Sequence, residues 1–110
     1  MRLANGTKFI LCAGLVTFAA ACSEASPVDE GKHALESRCS RCHAIGETGT
    51  SPRPDAPPFR DIVKRYPPED LAESLAEGIT SGHPDMPQFV LAPDEIGAVI
   101  DYLRTLMPKR

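Results

Sequence analysis

Residues 39–43 read Cys39-Ser40-Arg41-Cys42-His43, two thiols separated by two residues with a histidine directly after the second. That spacing is the attachment motif of a covalently bound c-type haem. The thiols add across the two vinyl groups of one porphyrin as thioethers. The histidine is placed to offer an imidazole nitrogen to the iron as proximal ligand. Other readings of a C-x-x-C pair stand beside this one. A thioredoxin-type dithiol belongs in a βαβ setting, and no such alternation is visible. A zinc site takes four ligands, and beyond the first 21 residues only His33, His83 and Cys22 are left to complete one. Two unrelated thiols are the remaining alternative.

The N-terminus agrees with the haem reading. Arg2 and Lys8 precede an apolar run, Phe9-Ile10-Leu11-Cys12-Ala13-Gly14-Leu15-Val16-Thr17-Phe18, which closes on Ala19-Ala20-Ala21-Cys22. A basic start, a short apolar stretch and small residues at −3 and −1 describe a secretory signal over residues 1–21. The run is shorter than the ~20 residues that a membrane-spanning helix needs. Covalent haem attachment takes place outside the cytoplasm, so an export signal is what the motif requires. The expected location is periplasmic, soluble or lipid-anchored.

The chain has four cysteines. Cys12 leaves with the leader, and Cys39 and Cys42 go to the haem. Cys22 is then an odd thiol in an exported chain, which needs an explanation. It follows three alanines in the manner of a bacterial lipobox, with Ala19 where leucine is usual. Cys22 is therefore the candidate for lipid attachment and a membrane tether, against an ordinary soluble N-terminus.

Removing residues 1–21 takes Arg2 and Lys8, and no acid, from a chain of 12 basic and 15 acidic residues, which leaves a net charge of −5. Haem propionates would deepen it. An acidic domain without a basic run is a poor partner for nucleic acid.

The elements that must position the motif are short. The 89 residues from Cys22 onward bury a modest core, and a domain of that size gains from a cofactor packed inside it. Nine of the eleven prolines fall at 52–58, 67–68, 84–87 and 93 and punctuate the chain. Residues 22–27 form a polar linker ahead of a domain over 28–110. A helical pattern begins at Val28 and runs into Cys39 and Cys42, with Gly31, Ala34 and Leu35 at helical spacing. Residues 46–58 are loop. Phe59 to Tyr66 forms a short helix with Phe59, Ile62 and Val63 on one face, broken by Pro67-Pro68. Pro68 opens the next helix with Glu69 and Asp70 in its first turn. There Leu71, Leu75 and Ile79 repeat at i, i+4, i+8, and Gly78 and Gly82 mark the end. Thr80 to Leu91 is extended loop. Pro93 starts the last helix, with Ile96, Val99, Ile100 and Leu103 on one face. Ala92 before it forgoes about 1 kcal/mol of side-chain capping. The fold class is all-α, about four short helices around one haem.

The second axial ligand has several candidates: Met86, His83, His33, Met107, or none. His33 lies ten residues before His43 on what reads as the same helix, which rises ~1.5 Å per residue, so it does not easily reach the opposite face. Met107 is at the C-terminal end. Met86 sits in the Pro-bounded loop Pro84-Asp85-Met86-Pro87, far along the chain and hard to explain as core. It is the best placed, with His83 and an open site as the alternatives. A thioether is a soft ligand that raises the potential relative to bis-histidine ligation.

The order of these features resembles the class I bacterial cytochromes c, over about Val28 to Leu106. Gly31 and Leu35 match the N-terminal helix where glycine admits the C-terminal helix, whose facing residues are Val99, Tyr102 and Leu103. Cys39, Cys42 and His43 match the haem motif, and Met86-Pro87-Gln88-Phe89 the axial methionine loop. Ala56-Pro57-Pro58-Phe59 is similar to the segment whose proline carbonyl accepts a hydrogen bond from the proximal imidazole, Pro57 first and Pro58 second. The resemblance implies one haem c per chain and a one-electron carrier, not an enzyme, with oxidase, dehydrogenase or cytochrome-complex partners. A monomer is expected. Arg53 and Arg60 are the candidates to face the propionates. The alternatives are a dedicated haem subunit of a periplasmic oxidoreductase and an open-site haem enzyme or sensor.

Overall fold

Ser26 is the residue that starts the first helix. Its hydroxyl oxygen accepts from the Asp29 backbone N–H at 3.2 Å, and Pro27 takes the first helical position, where a missing N–H costs nothing. The computed structural model describes residues 20–78 and 83–110. Helix α1 spans Pro27–Cys39, α2 Phe59–Arg65, α3 Pro68–Glu77 and α4 Pro93–Thr105, with no strand among the described residues. This is the expected all-α architecture. Two boundaries of α1 differ from the sequence reading. It begins one residue early because Pro27 is pre-set for the helix. It ends at Cys39 because the Cys39 carbonyl accepts from both Cys42 (3.1 Å) and His43 (2.9 Å), which turns the chain before the second thiol.

The core is built where α1 crosses α4. Leu35 of α1 and Val99 and Leu103 of α4 are almost fully enclosed. Gly31 is the contact point. A Cβ added there would lie 1.9 Å from the Ala98 carbonyl oxygen and 2.8 Å from the Val99 nitrogen, so only a bare backbone admits α4 this closely. Arg38, in the last turn of α1, reaches Glu95 at 2.6 Å. The other oxygen of Glu95 accepts from the Ala92 backbone N–H at 3.1 Å. Glu95 thus supplies the reciprocal half of a capping box, while the half that needs a side-chain acceptor at Ala92 is absent.

Helices α2 and α3 close the sides. Val63 and Leu75 are their buried contributions, with Phe59 and Leu71 packed against the same cluster. Gly78 ends α3 at φ +102. Ile79, Thr80 and Gly82 lie outside the described residues. The returning chain is fastened where the Leu91 N–H donates to the Leu75 carbonyl at 3.0 Å, and α4 follows. From α4 the buried Tyr102 hydroxyl donates to the Ile45 carbonyl at 2.9 Å, joining the last helix to the chain just past the Cys-Cys-His motif.

Two consequences are measurable. Gly31→Ala forces α1 and α4 apart and lowers unfolding free energy by about 3 kcal/mol, read by denaturant titration. Tyr102→Phe leaves the Ile45 carbonyl unpaired and costs about 1–2 kcal/mol. Burial raises the Tyr102 phenol above its usual value, so its protonated form is favoured in the fold. That stabilisation is complete below about pH 10 and is lost as pH rises through the folded value. Titration above about pH 10 should show a falling stability limb that Tyr102→Phe flattens.

Candidate haem-binding site

His43 is buried, with 8% of its surface exposed. Its Nδ1 lies 2.7 Å from the Pro57 carbonyl oxygen. A carbonyl only accepts, so Nδ1 carries the hydrogen and donates it. In the neutral ring the other nitrogen, Nε2, then keeps its lone pair, the tautomer that a metal ligand requires. The acceptor is Pro57 and not Pro58, which instead caps α2. The Phe59 ring packs on the imidazole at 5.3 Å between centroids, tilted by 54°.

The neighbours of His43 are held as firmly. The Cys42 carbonyl accepts from the Arg53 N–H at 3.2 Å, and the Ala44 carbonyl from the Phe59 N–H at 3.0 Å. The Ala44 N–H donates to the buried Ser51 hydroxyl at 3.0 Å, and Ile45 is tied to Tyr102. Residues 42–45 thus each have a partner in the 51–59 segment or α4. Ser51 was missed in the sequence, where a lone serine in a Gly/Pro/Thr-rich loop gives no signal.

The thiols do not favour the redox alternative. Cys39 is half-buried against the core, and burial pushes its thiol up to about 11 against the smaller opposing pull of Arg38. A reactive dithiol needs the reverse. Zinc fares no better: among the described residues no three His, Cys, Asp or Glu side chains are gathered to hold a metal ion. Cys22 and His33 are exposed at separate positions. Two thiols and an imidazole with a free Nε2, set together where α1 ends, are instead a donor set that fits a covalently bound haem.

Met86 is half-buried in the turn at 84–86, its N–H donating to the His83 carbonyl at 3.1 Å. Met107 is exposed. Both ring nitrogens of His83 are engaged, Nε2 with Asp55 at 2.7 Å and Nδ1 with the Asp85 N–H at 3.2 Å. In this arrangement His83 has no nitrogen to give to iron. Arg53 binds Asp55 at 2.9 Å and Asp85 at 2.6 Å, and its hydrogen bond holds the Asp55 carboxyl below its usual value. Arg60 donates from Nη2 to the Gly49 carbonyl at 2.7 Å. Its Nη1 is buried with no hydrogen-bond partner among the described residues.

Comparison with known proteins places this geometry in a family. Residues 26–103 match the family described as cytochrome c oxidase, cbb3-type, subunit III. The chain is 31% identical over 96 residues to cytochrome c-552 of Bradyrhizobium diazoefficiens, covering 86% of this chain and 90% of that protein. No solved structure gives a significant match. With most of its length inside one family and a relative matched nearly end to end, the chain belongs to the c-type cytochromes of the cbb3-type subunit III family, electron carriers whose cofactor is covalently bound haem c.

Proposed function

We propose that this chain is an exported monohaem cytochrome that carries single electrons between protein partners, with Cys39 and Cys42 as thioether anchors, His43 as proximal ligand and Met86 as distal ligand. The observation that carries the reading is the buried imidazole of His43, directly after the thiol pair, with its Nδ1 hydrogen committed to the Pro57 carbonyl. When bound, the haem iron supplies a one-electron couple between Fe(II) and Fe(III). The Pro57 carbonyl fixes the ring orientation and raises the basicity of Nε2. Phe59 and the core around Leu35 exclude water from that side. Met86 is favoured on the distal side because both nitrogens of His83 are taken and Pro84 and Pro87 stiffen the methionine's loop. Two protein ligands leave no open site for substrate, which favours a carrier over an enzyme. Of the two arginines, Arg53 is held by Asp55 and Asp85, whereas Arg60 keeps an unpartnered buried nitrogen that suits a propionate.

Residues 1–21 are the export signal, residues 22–27 the linker and residues 28–110 the haem domain, which works as a monomer in the periplasm. Cys22, exposed and ahead of α1, is the lipid attachment point. No described helix is long and apolar enough to cross a membrane, so a tether at Cys22 would be the means of holding the domain there. The partners are an oxidase, a dehydrogenase or a cytochrome complex. The family's description as an oxidase subunit favours a second reading, in which the domain is the dedicated haem subunit of one periplasmic complex. Co-purification under mild conditions separates that subunit from a diffusing carrier.

Absorption spectra of both redox states test the ligation. The oxidised protein should show the near-infrared methionine-to-Fe(III) charge-transfer band. Met86→Ala should lose it, and Met86→His should lower the potential by on the order of 0.1–0.3 V, within the range that axial ligands span. A colourless protein with two titratable thiols, from a host competent in c-type maturation, would end the haem reading. Cys22→Ser should move the protein from the membrane fraction to the soluble periplasm, and an unchanged distribution removes the tether.

A further inference from the structure

Arg53 stands between Pro52 and Pro54, and its backbone N–H is bonded to the Cys42 carbonyl at 3.2 Å. Its side chain leads across the fold. Nε binds Asp55 Oδ1 at 2.9 Å, and Nη2 binds Asp85 Oδ2 at 2.6 Å. Asp85 immediately precedes Met86. The second oxygen of Asp55 faces His83 Nε2 at 2.7 Å, so two residues of the methionine loop are joined to the 53–55 segment. Arg53 therefore links the loop that carries Met86, through an aspartate 32 residues further along the chain, to the Cys42 carbonyl.

We infer that Arg53 is a positioning residue, a clamp that holds the Met86 loop against the segment bearing His43. The inference rests on Met86 being the distal ligand. At its far end the loop is fastened by the Leu91 N–H to the Leu75 carbonyl at 3.0 Å and by the packing of Phe89 and Leu91 in the core. At its near end polar contacts join it to Asp55 and Arg53. An isolated exposed ion pair contributes little, but a shared network in good geometry is a different case. Here one arginine serves two carboxylates. Prolines on both sides, Pro52 and Pro54, then Pro84 and Pro87, restrict both backbones before the bridge forms, so less freedom is lost in making it. The clamp biases the loop toward its closed state, and an external ligand that competes with the thioether reads the open fraction directly.

Titration of the oxidised holoprotein with imidazole, followed by loss of the near-infrared band, tests the clamp. Arg53→Gln and Asp85→Asn should each raise the apparent imidazole affinity about fivefold. The double variant should do no more than the larger single change, since both remove one interaction. Arg53→Lys, which keeps the charge, should stay within about twofold of the parent. Arg104→Gln is the control. Arg104 bridges two carboxylates in the same way, Glu69 at 2.7 Å and Asp101 at 2.8 Å, but joins α4 to α3. It should leave imidazole affinity unchanged whatever it does to the unfolding midpoint. A parent-like affinity in both Arg53→Gln and Asp85→Asn, or an equal rise in Arg104→Gln, overturns the clamp. A parent protein without the band removes Met86 from the iron and the clamp with it, which separates failure of the ligand assignment from failure of the clamp.

Discussion

The close crossing of α1 and α4 at Gly31 is the constraint from which the other positions follow. With backbone against backbone at Ala98, Leu35 meets Val99 and Leu103 in the dry centre. The same crossing fixes the line of α1, whose last residue is Cys39. It also aims Tyr102 at the chain beyond His43. A small domain has little apolar area with which to hold its parts. Its core is centred on that crossing, and the turn that follows Cys39 is organised mainly by hydrogen bonds.

Those bonds are spent on the chain around the imidazole. A turn would ordinarily be among the softer parts of a fold, since its backbone groups can exchange their partners for water. Residues 42–45 are instead tied on several sides by the 51–59 segment and α4. With His43 as the proposed ligand this would suit an electron carrier, because a ligand that shifts little between oxidation states keeps the reorganisation of its surroundings small. The loop that carries Met86 is fastened in two different ways, by exposed ion pairs at His83 and Asp85 and by the packing of Phe89 and Leu91 in the core.

Much of this was legible in the sequence because proline and glycine act locally. Pro68 and Pro93 each open a helix as read, although Pro27, read as linker, opens α1 as well, and Gly31 packs against α4 as the family resemblance implied. The turn after Cys39 was not legible, because helical periodicity cannot distinguish another helical turn from a carbonyl that takes two donors. Nor were Ser51, the reach of Glu95 from Ala92 to Arg38, or the bridge from Arg53 to Asp85. Each depends on residues far apart in the chain arriving together, and a polar residue in a polar loop shows nothing of its distant partner. Ala92 shows the point: the local rule identified a missing side-chain cap, and it could not show that Glu95, one turn further on, accepts from the Ala92 N–H.

The acceptor for His43 is a main-chain oxygen, and this sets what kind of change the site can feel. A carboxylate or amide partner can be lost to a single base change. A carbonyl is present whatever side chain stands at position 57, so point substitution there acts only through backbone angles. Lengthening or shortening the loop between Ala44 and Pro57 would instead displace the oxygen bodily. Drift in this lineage should therefore be freer in the letters of that loop than in its length, and the imidazole's electronic character is inherited as a measured span of chain rather than as a residue.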